Sequence, residues 1–298
     1  MKFACLIVVA VAMATLVTAV DFGSADSYGL GCSGSIAIAA EAVVWGNMIT
    51  SGVCSTGAGS MVVGDLDASG AVALGTSATF KGILVTQSTL AMGADERFYG
   101  DIYAAGSVTI AASTAITGNV KSCPVIFLGA SVTISGETLW GDAALAVPAS
   151  NGAAVFGDIT AAYTDLSAQS GGRNLEESII NNTLAPGIYY HLGAWARPAG
   201  PALILNGTSS DKWIIQLGGA VAISCDIVPN GPSSNNYPLA SNIQWVGSGA
   251  VAIAAGSIFY GNIVALGTVA IAAGAEIHGV IYSGGACSLG AGAELRRF

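Results

Sequence analysis

Charged side chains are scarce in this sequence. Of its 298 residues only 9% are Asp, Glu, Lys or Arg, and nine basic residues face eighteen acidic ones, so the formal net charge is -9. Nucleic acids and anionic membranes are bound mainly through clustered Lys and Arg side chains. The composition therefore argues against a nucleic acid or a membrane as a partner.

Long apolar runs are also missing beyond the N-terminus. Gly, Asn, Asp or Ser interrupts every later stretch before it reaches the roughly 18 apolar residues that a membrane-spanning helix needs. At the N-terminus, Lys2 precedes an apolar run, and Val17-Thr18-Ala19 fits a small-residue cleavage site. We therefore predict a signal peptide over residues 1–19 and a secreted, extracellular chain over residues 20–298 that forms a single domain.

Cysteine and histidine are few and are not spaced as metal ligands. Signal cleavage would leave five cysteines and two histidines, without a C-x₂-C or H-x₃-H pattern. The sequence predicts no metal site, no cofactor and no catalytic residue, so we do not predict an enzyme. Cys54 and Cys287 align with inward-facing positions and are predicted to be core residues, unless Cys32 pairs with Cys54.

Glycine is plentiful, and its spacing reveals a repeat. Glycines recur every 18 residues, at Gly46, Gly64, Gly82, Gly100 and Gly118, and again at Gly261 and Gly279. Within a repeat, apolar residues alternate with small or polar ones, which is the period of strands. Three apolar ladders per repeat predict an all-β, three-sided β-solenoid of about 18 residues per coil, with the glycine and a neighbouring Asn or Asp at one corner.

One segment breaks the two-residue period. Ile159, Ala162, Tyr163 and Leu166 follow the i, i+3, i+4, i+7 spacing of one helical face. This pattern predicts one long α-helix over residues 155–170, packed along the flank of the solenoid. It separates N-terminal coils over residues 33–150 from C-terminal coils over residues 184–298, and the stretch from Arg173 to Asn182 is predicted to be a loop.

The order of these segments and several local motifs resemble a known family. The helix from Asp158 to Asp165 and the later Leu184-Ala185-Pro186-Gly187-Ile188-Tyr189 resemble the post-solenoid helix and return strand of the microbial ice-binding proteins. That family has a discontinuous β-solenoid fold, often called the type-1 ice-binding fold. Two further segments, Trp213 to Gly218 and Asn242 to Gly247, resemble its buried strands. The resemblance implies a monomer whose partner is an ice surface.

The resemblance also implies that one flat face adsorbs to ice, and the residues indicate which face. Outward positions on the first strand of each coil are small and uncharged, which makes a flat surface on rigid strands. Many weak contacts made at once are needed for retention, so flatness matters more than any single residue. The candidate ice-binding residues are Ala37, Ser55, Ala73, Ala91, Thr109, Thr133, Ala222, Ala252 and Ala270.

The outward rows of the other two strands are less suited to this role. The second strand carries bulky or charged residues such as Trp45, Lys81 and Tyr99, and the third carries Asp65 and Asp101. Three alternatives stay open. The small residues could serve only for close packing of coils, or the solenoid could be a structural or adhesive protein that binds a glycan or another surface. A polysaccharide-active β-helix enzyme has less support, because carboxylate clusters are thin.

Overall fold

The computed structural model describes residues 23–141, 147–230 and 239–297. In this part of the chain three parallel sheets enclose one core, with a long helix α1 (Gly152–Ser167), a one-turn helix α2 (Leu175–Ser178) and 3₁₀ turns at Gly23–Ser27 and Ala240–Asn242. The three-sided β-solenoid with one main helix is therefore confirmed. The predicted signal peptide lies outside the described residues. Within them no helix is long and apolar enough to cross a membrane.

Each sheet forms one side of the solenoid. Sheet A has thirteen strands, in spatial order Thr138–Trp140, Val120–Ser122, Ile102–Ala104, Leu84–Thr86, Leu66–Ala68, Asn47–Thr50, Tyr28–Cys32, Ile281–Ser283, Asn262–Ala265, Ile243–Gly247, Trp213–Leu217, Gly187–His191 and Arg173–Asn174. Sheet B has eleven strands, namely Ile126–Leu128, Val108–Ile110, Leu90–Met92, Val72–Leu74, Cys54–Thr56, Ile36–Ile38, Cys287–Leu289, Val269–Ile271, Val251–Ile253, Val221–Ile223 and Trp195–Arg197. Sheet C has twelve strands, namely Thr133–Ile134, Ala115–Thr117, Arg97–Tyr99, Thr79–Lys81, Met61–Val63, Val43–Trp45, Glu294–Arg296, Glu276–His278, Ile258–Tyr260, Ile227–Pro229, Leu203–Leu205 and Thr183–Leu184.

Equivalent residues of successive coils lie directly above one another. Leu84 pairs with Leu66 on one side and with Ile102 on the other, so the register repeats every 18 residues. Inside the core, the rings of Phe80 and Phe98 stack with centroids 4.8 Å apart and planes within 1°. This distance is the ordinary spacing of hydrogen-bonded strands. The inward-facing residues of all three sheets form one continuous apolar core.

The recurrent glycine lies at the corner between sheets C and A, as the repeat predicts. Gly100 has φ +142°, and a Cβ atom there would lie 2.0 Å from the carbonyl oxygen of Gly82. Both the backbone conformation and the close stacking therefore require glycine. Beside it, Asp101 Oδ1 accepts the backbone N–H of Asn119 at 2.8 Å. The acidic and amide side chains of this corner thus connect one coil to the next.

The corner between sheets B and C uses a left-handed conformation that the sequence pattern does not reveal. It is adopted by non-glycine residues with φ between 57° and 61°, namely Glu41, Ser77, Asp95, Ser113 and Ser131. Glycine takes the equivalent place at Gly59 and, in the C-terminal coils, at Gly256, Gly274 and Gly292. Side chains of different chemistry therefore share one backbone requirement.

Helix α1 covers part of the outer face of sheet A. It begins and ends three residues earlier than the predicted 155–170. Its buried stripe begins at Val155 and runs through Ile159 to Leu166, while Tyr163 is only partly buried. The stripe packs on outward-facing sheet A residues, namely Ile49, Ile188, Ile214, Val246, Val264 and Tyr282. At the end of the helix, Gln216 Nε2 donates to the carbonyl oxygen of Leu166 at 2.7 Å.

The prediction of a loop from Arg173 to Asn182 is wrong in its first half. Arg173–Asn174 adds the last strand of sheet A, and α2 follows directly. Asn174 is the N-cap of α2, because its side chain accepts the backbone N–H of Glu176 at 3.0 Å. Leu175 is fully buried at this end of the core. The segment therefore closes one end of the solenoid.

The two halves of the chain meet in the middle of the stack. Val44 of the first coil pairs with Val62 of the second coil on one side and with Leu295 of the last coil on the other. A disulfide between Cys32 and Cys287 crosses this boundary, with Cα atoms 6.1 Å apart. The structure thus answers the question of pairing left open by the sequence, because Cys32 bonds to Cys287 and not to Cys54. Cys54 is a buried core residue, as predicted.

Candidate functional site

Eight of the nine candidate residues form one straight row on the outer face of sheet B. Each is the central residue of a three-residue strand whose two neighbours point into the core, so its side chain points outward. Along the row each candidate residue pairs with the candidate residue of the neighbouring strand. The one interruption is Ser288, which lies between Ala37 and Ala270 where the first and last coils meet. In the part of the chain that the structure describes, this row has eleven members, in order Phe127, Thr109, Ala91, Ala73, Ser55, Ala37, Ser288, Ala270, Ala252, Ala222 and Ala196.

Thr133 is the exception, because it lies on sheet C and pairs with Ala115. Phe127 takes the place on sheet B that Thr133 was predicted to hold, since it pairs with Thr109. The mistake has a local cause. Val132-Thr133-Ile134 repeats the letters of Val108-Thr109-Ile110 but occurs six residues too late in its coil to be a sheet B strand.

A second outward row flanks the first and was missed in the sequence. Strand alternation places the residue two positions before each central residue on the same face. These residues are again small and uncharged, namely Ser35, Val53, Ala71, Thr89, Ser107, Val125, Ala194, Ala220, Ala250, Thr268 and Ala286. The alternation of apolar and small residues could have predicted the row if it had been followed beyond the strand centres. Together the two rows make a neutral surface, and at about 4.8 Å per strand its eleven strands span roughly 48 Å.

The other two faces differ from sheet B in cover or in charge. The outer face of sheet A is covered by α1 over the middle of the stack, and its open part carries Asp67 and Lys121. No helix of the described residues covers sheet C, but this sheet exposes Trp45 and Tyr99 and carries a row that includes Lys81. Sheet B is therefore the neutral and open face among the three that the structure describes.

Ionisable side chains of sheet C form one network where the first and last coils meet. Arg296 Nε lies 2.7 Å from Glu294 Oε1, and Arg296 Nη1 lies 3.3 Å from Glu276 Oε1. Trp45 Nε1 donates to Glu294 at 3.0 Å, and His278 Nε2 lies 2.9 Å from Glu276. Burial lowers the pKa of His278, although the Glu276 carboxylate opposes this effect. The network joins strand Val43–Trp45 of the first coil to strands Glu276–His278 and Glu294–Arg296 of the last two coils. Its simplest role is to hold these coils together.

Acidic side chains of the corner between sheets C and A hydrogen-bond to the backbone of the next coil. Asp65 Oδ1 accepts the backbone N–H of Ile83 at 2.7 Å, and Asp101 makes the equivalent bond to the next coil. Among the described residues no group of three or more His, Cys, Asp or Glu side chains could hold a metal ion. These contacts give Asp65 and Asp101 a structural role in connecting successive coils.

Comparisons with known proteins agree with the resemblance seen in the sequence. A family model described as Ice-binding-like matches residues 108–293. Ice-binding proteins K1-A and K3-B1 of Typhula ishikariensis are 34% and 35% identical to this chain over 117 residues, covering 37% of this chain and 44% of each relative. The aligned part is thus less than half the length of these relatives.

Solved structures share the fold over almost the whole chain. An ice binding protein from an Antarctic biological consortium gives a TM-score of 0.52 at 16% identity, covering 94% of this chain and 91% of that one. An ice-binding protein from the Antarctic ascomycete Antarctomyces psychrotrophicus gives a TM-score of 0.51 at 17% identity, covering 93% and 98%. Identities this low show a common fold and no more. The family model matches more than half of the residues of this chain, and the chain therefore belongs to the Ice-binding-like family.

Proposed function

We propose that this protein binds ice through the outer face of sheet B. The observation that carries the proposal is the pair of neutral rows on that face, which no described segment covers and which has no ionisable side chain in either row. The names of the Typhula relatives, which are ice-binding proteins, support the same function. The ice surface would be the partner. A single copy of the chain would be enough to present the sheet B face to it.

The chemistry of the rows suits adsorption to a solid water surface. Seven of the eleven central residues are Ala, so the surface presents methyl groups at nearly one height. Hydroxyls of Thr109, Thr89 and Thr268 lie among them and can hydrogen-bond ordered water. Charged groups would instead hold their own hydration water. Since each contact is weak, many coils must engage together, and the rigid parallel register makes this simultaneous contact achievable.

We further propose that the protein acts outside the cell. Residues 1–19 have the pattern of a signal peptide, and the Cys32–Cys287 disulfide supports an oxidising compartment. Ice in the surroundings of a cell is accessible only to a secreted protein. Expression of the full chain in a secreting host, followed by N-terminal sequencing of the medium fraction, tests this part directly.

The test of the face uses single Ala→Tyr substitutions on different sides of the solenoid. Ala73→Tyr and Ala91→Tyr raise a bulky ring in the middle of the sheet B row, whereas Ala115→Tyr makes the same change at an exposed position of sheet C. Thermal hysteresis, crystal shape and partition into growing ice would be measured for all three. Circular dichroism and melting temperature would establish that each variant is folded.

We expect the two sheet B variants to lose ice affinity by roughly tenfold or more, because a ring that stands above the face separates its neighbours from the surface. Ala115→Tyr should behave as the unchanged protein. Equal loss in all three variants, or loss only in Ala115→Tyr, would contradict the assignment to sheet B. Rounded crystals and no partition with the unchanged protein would contradict ice binding altogether and favour a structural or adhesive role.

A further inference from the structure

The two ends of the solenoid differ. At one end, here called the closed end, strand Arg173–Asn174 and α2 cover the core, and Leu175 is fully buried there. The opposite end, here called the open end, is the coil of residues 124–141, with strands Ile126–Leu128, Thr133–Ile134 and Thr138–Trp140. In the part of the chain that the structure describes, each of these three strands has a neighbour on one side only. The proposed function uses neither end.

Apolar side chains that would belong to the core of an inner coil are exposed at the open end. Leu128 holds the inward position that Ile110 fills in the preceding coil, yet Ile110 is 1% exposed and Leu128 is 53% exposed. Trp140, also at an inward position, is 55% exposed. The chain does not stay at this end, because the Pro148 carbonyl already accepts Gln87 Nε2 three coils back, at 2.7 Å. Free strand edges and an exposed core end of a repeat fold ordinarily require a cover.

Backbone groups are also free at the open end. In the preceding coil, the N–H of Val108 donates to the carbonyl oxygen of Val125 at 3.0 Å. Ile126 holds the place of Val108 in the last coil, and its N–H has no acceptor among the described residues. The same is true of Ser131 at the corner between sheets B and C. One extended peptide could pair with one edge, whereas another solenoid end offers three edges in the same triangle.

The corner between sheets C and A adds a free acceptor. Its inner side chains each accept a backbone N–H of the next coil, namely Asn47, Asp65, Asp101 and Asn119. Glu137 ends this series and is exposed, and no described coil lies beyond it to supply an N–H. Glu137 is also the one ionisable residue in the sequence from 124 to 141. The open end therefore carries a single negative group in an otherwise uncharged surface.

We propose that the open end binds the open end of a second copy of this chain, related by a two-fold axis perpendicular to the solenoid. Such an axis makes the facing strands antiparallel. Strand Thr133–Ile134 pairs with its own copy, and strand Ile126–Leu128 pairs with strand Thr138–Trp140 of the second copy. Because α2 covers the closed end, assembly stops at a dimer. This dimer replaces the monomer that the family resemblance implied.

Charge and apolar contacts select this axis among the three that a triangular end allows. An axis through the edge of sheet B would bring two Glu137 carboxylates together, and like charges repel. An axis through the edge of sheet A would place Glu137 at the corner of Pro124, which has no N–H. The proposed axis places Glu137 at the second copy's corner between sheets B and C, where the N–H of Ser131 is free. It also brings Phe127 next to Leu139 of the second copy, and both side chains are exposed in a single copy.

Sedimentation equilibrium of the full chain, purified from a secreting host, tests the dimer. For an interface of this small cross-section we expect a Kd on the order of 10 µM. Leu128→Lys places a charge in the middle of the open end and should weaken association at least roughly tenfold, because pairing would bury that charge. Leu192→Lys is the matched control, since Leu192 is 87% exposed in the coil next to the closed end. It should dimerise like the unchanged protein, and melting temperatures would establish that both variants are folded.

Cross-linking tests the axis. Phe127 and Leu139 lie on sheets B and A of one copy and become neighbours only across the proposed axis. Phe127→Cys combined with Leu139→Cys should therefore give a covalent dimer on mild oxidation, seen on a non-reducing gel. Either substitution alone, and the unchanged protein, should not be cross-linked.

A covalent dimer of Phe127→Cys alone would overturn the proposed axis. The dimer itself would be overturned by an unchanged protein that stays monomeric up to about 1 mM, by a Leu128→Lys variant that associates normally, or by growth beyond dimers. Sheet B stays open in both copies, so loss of the dimer and loss of ice affinity are separate outcomes.

Discussion

Cys32 and Cys287 are bonded across 255 residues of sequence, at the place where the last coil of the solenoid stacks on the first. Every other contact across this boundary is a strand pair or a side-chain contact that unfolding would release. The disulfide keeps the two halves of the chain joined in the unfolded state, so it reduces the entropy that unfolding gains. Its effect on stability should therefore be large.

We predict that the double substitution Cys32→Ser and Cys287→Ser lowers the free energy of unfolding by about 4 kcal/mol, as expected for a bond that closes a long loop. Guanidinium unfolding followed by circular dichroism measures this change. Dithiothreitol should destabilise the unchanged protein by a similar amount and should have no further effect on the double variant. A double variant as stable as the unchanged protein would show that the strand pairs alone hold the boundary.

Two glycines in different environments should respond in opposite directions to the same substitution. Gly100→Ala places a Cβ atom 2.0 Å from the Gly82 carbonyl oxygen and at φ +142°, so we expect a loss of more than about 3 kcal/mol. Gly157 lies in α1, and an added Cβ there would have no described atom within 4 Å other than those of its own helical turns. Gly157→Ala should therefore stabilise the protein by about 0.5–1 kcal/mol through helix propensity. Chemical unfolding of both variants compares them directly, and loss of stability in both would contradict this account.

The corner between sheets C and A could be predicted from the sequence, because its backbone conformation and close stacking allow only glycine. A Cβ atom cannot be accommodated at Gly100, so glycine recurs and its interval gives the coil length. The corner between sheets B and C needs a residue in the left-handed conformation, but Ser113 and Asp95 can adopt that conformation at a moderate cost in free energy. Since several residue types satisfy the second requirement, no single letter recurs through the N-terminal coils, and only Gly256, Gly274 and Gly292 of the C-terminal coils mark this corner at the 18-residue interval.

Two other features could not be predicted, for different reasons. The sheet on which Thr133 lies depends on its position within its own coil, and a repeated tripeptide obscures that position. The bond between Cys32 and Cys287 depends on which coils become neighbours after α1 has returned the chain to the far end of the stack. Periodicity describes one coil and its successor. It does not say where the first and last coils meet.

Glu96 should make the stability of this solenoid depend on pH. Its side chain is 2% exposed, and its carboxylate accepts the backbone N–H of Gly93 at 2.7 Å. Burial raises its pKa to about 8 from an ordinary 4.5, although the hydrogen bond from Gly93 opposes the rise. The folded protein thus retains a proton that the unfolded chain releases. This contribution to stability is fully present below about pH 4.5 and is lost as the pH rises towards 8.

Glu96→Gln removes this titration with little change of shape. Between pH 4.5 and 8 the unchanged protein should lose stability relative to Glu96→Gln, by an amount on the order of 4 kcal/mol over the whole range. Urea unfolding at several pH values gives the difference curve. Glu137→Gln, a substitution at an exposed position, serves as the control. Parallel pH profiles for the unchanged protein and Glu96→Gln would show that Glu96 does not carry the effect.

Phe127 ends the sheet B row with a side chain that does not fit the rest of it. Its neighbour Thr109 is small, whereas Phe127 is 56% exposed and projects beyond the methyl groups of the row. If sheet B adsorbs to ice as a flat surface, the last strand is held away from the surface by this ring. Phe127→Thr should bring the last strand into contact and raise thermal hysteresis modestly, by less than about twofold, because one strand is added to ten. Stability should change little, since the ring is mostly outside the core. A fall in hysteresis with an unchanged melting temperature would instead mean that the ring itself contacts the ice, and that flatness is not what selects this face.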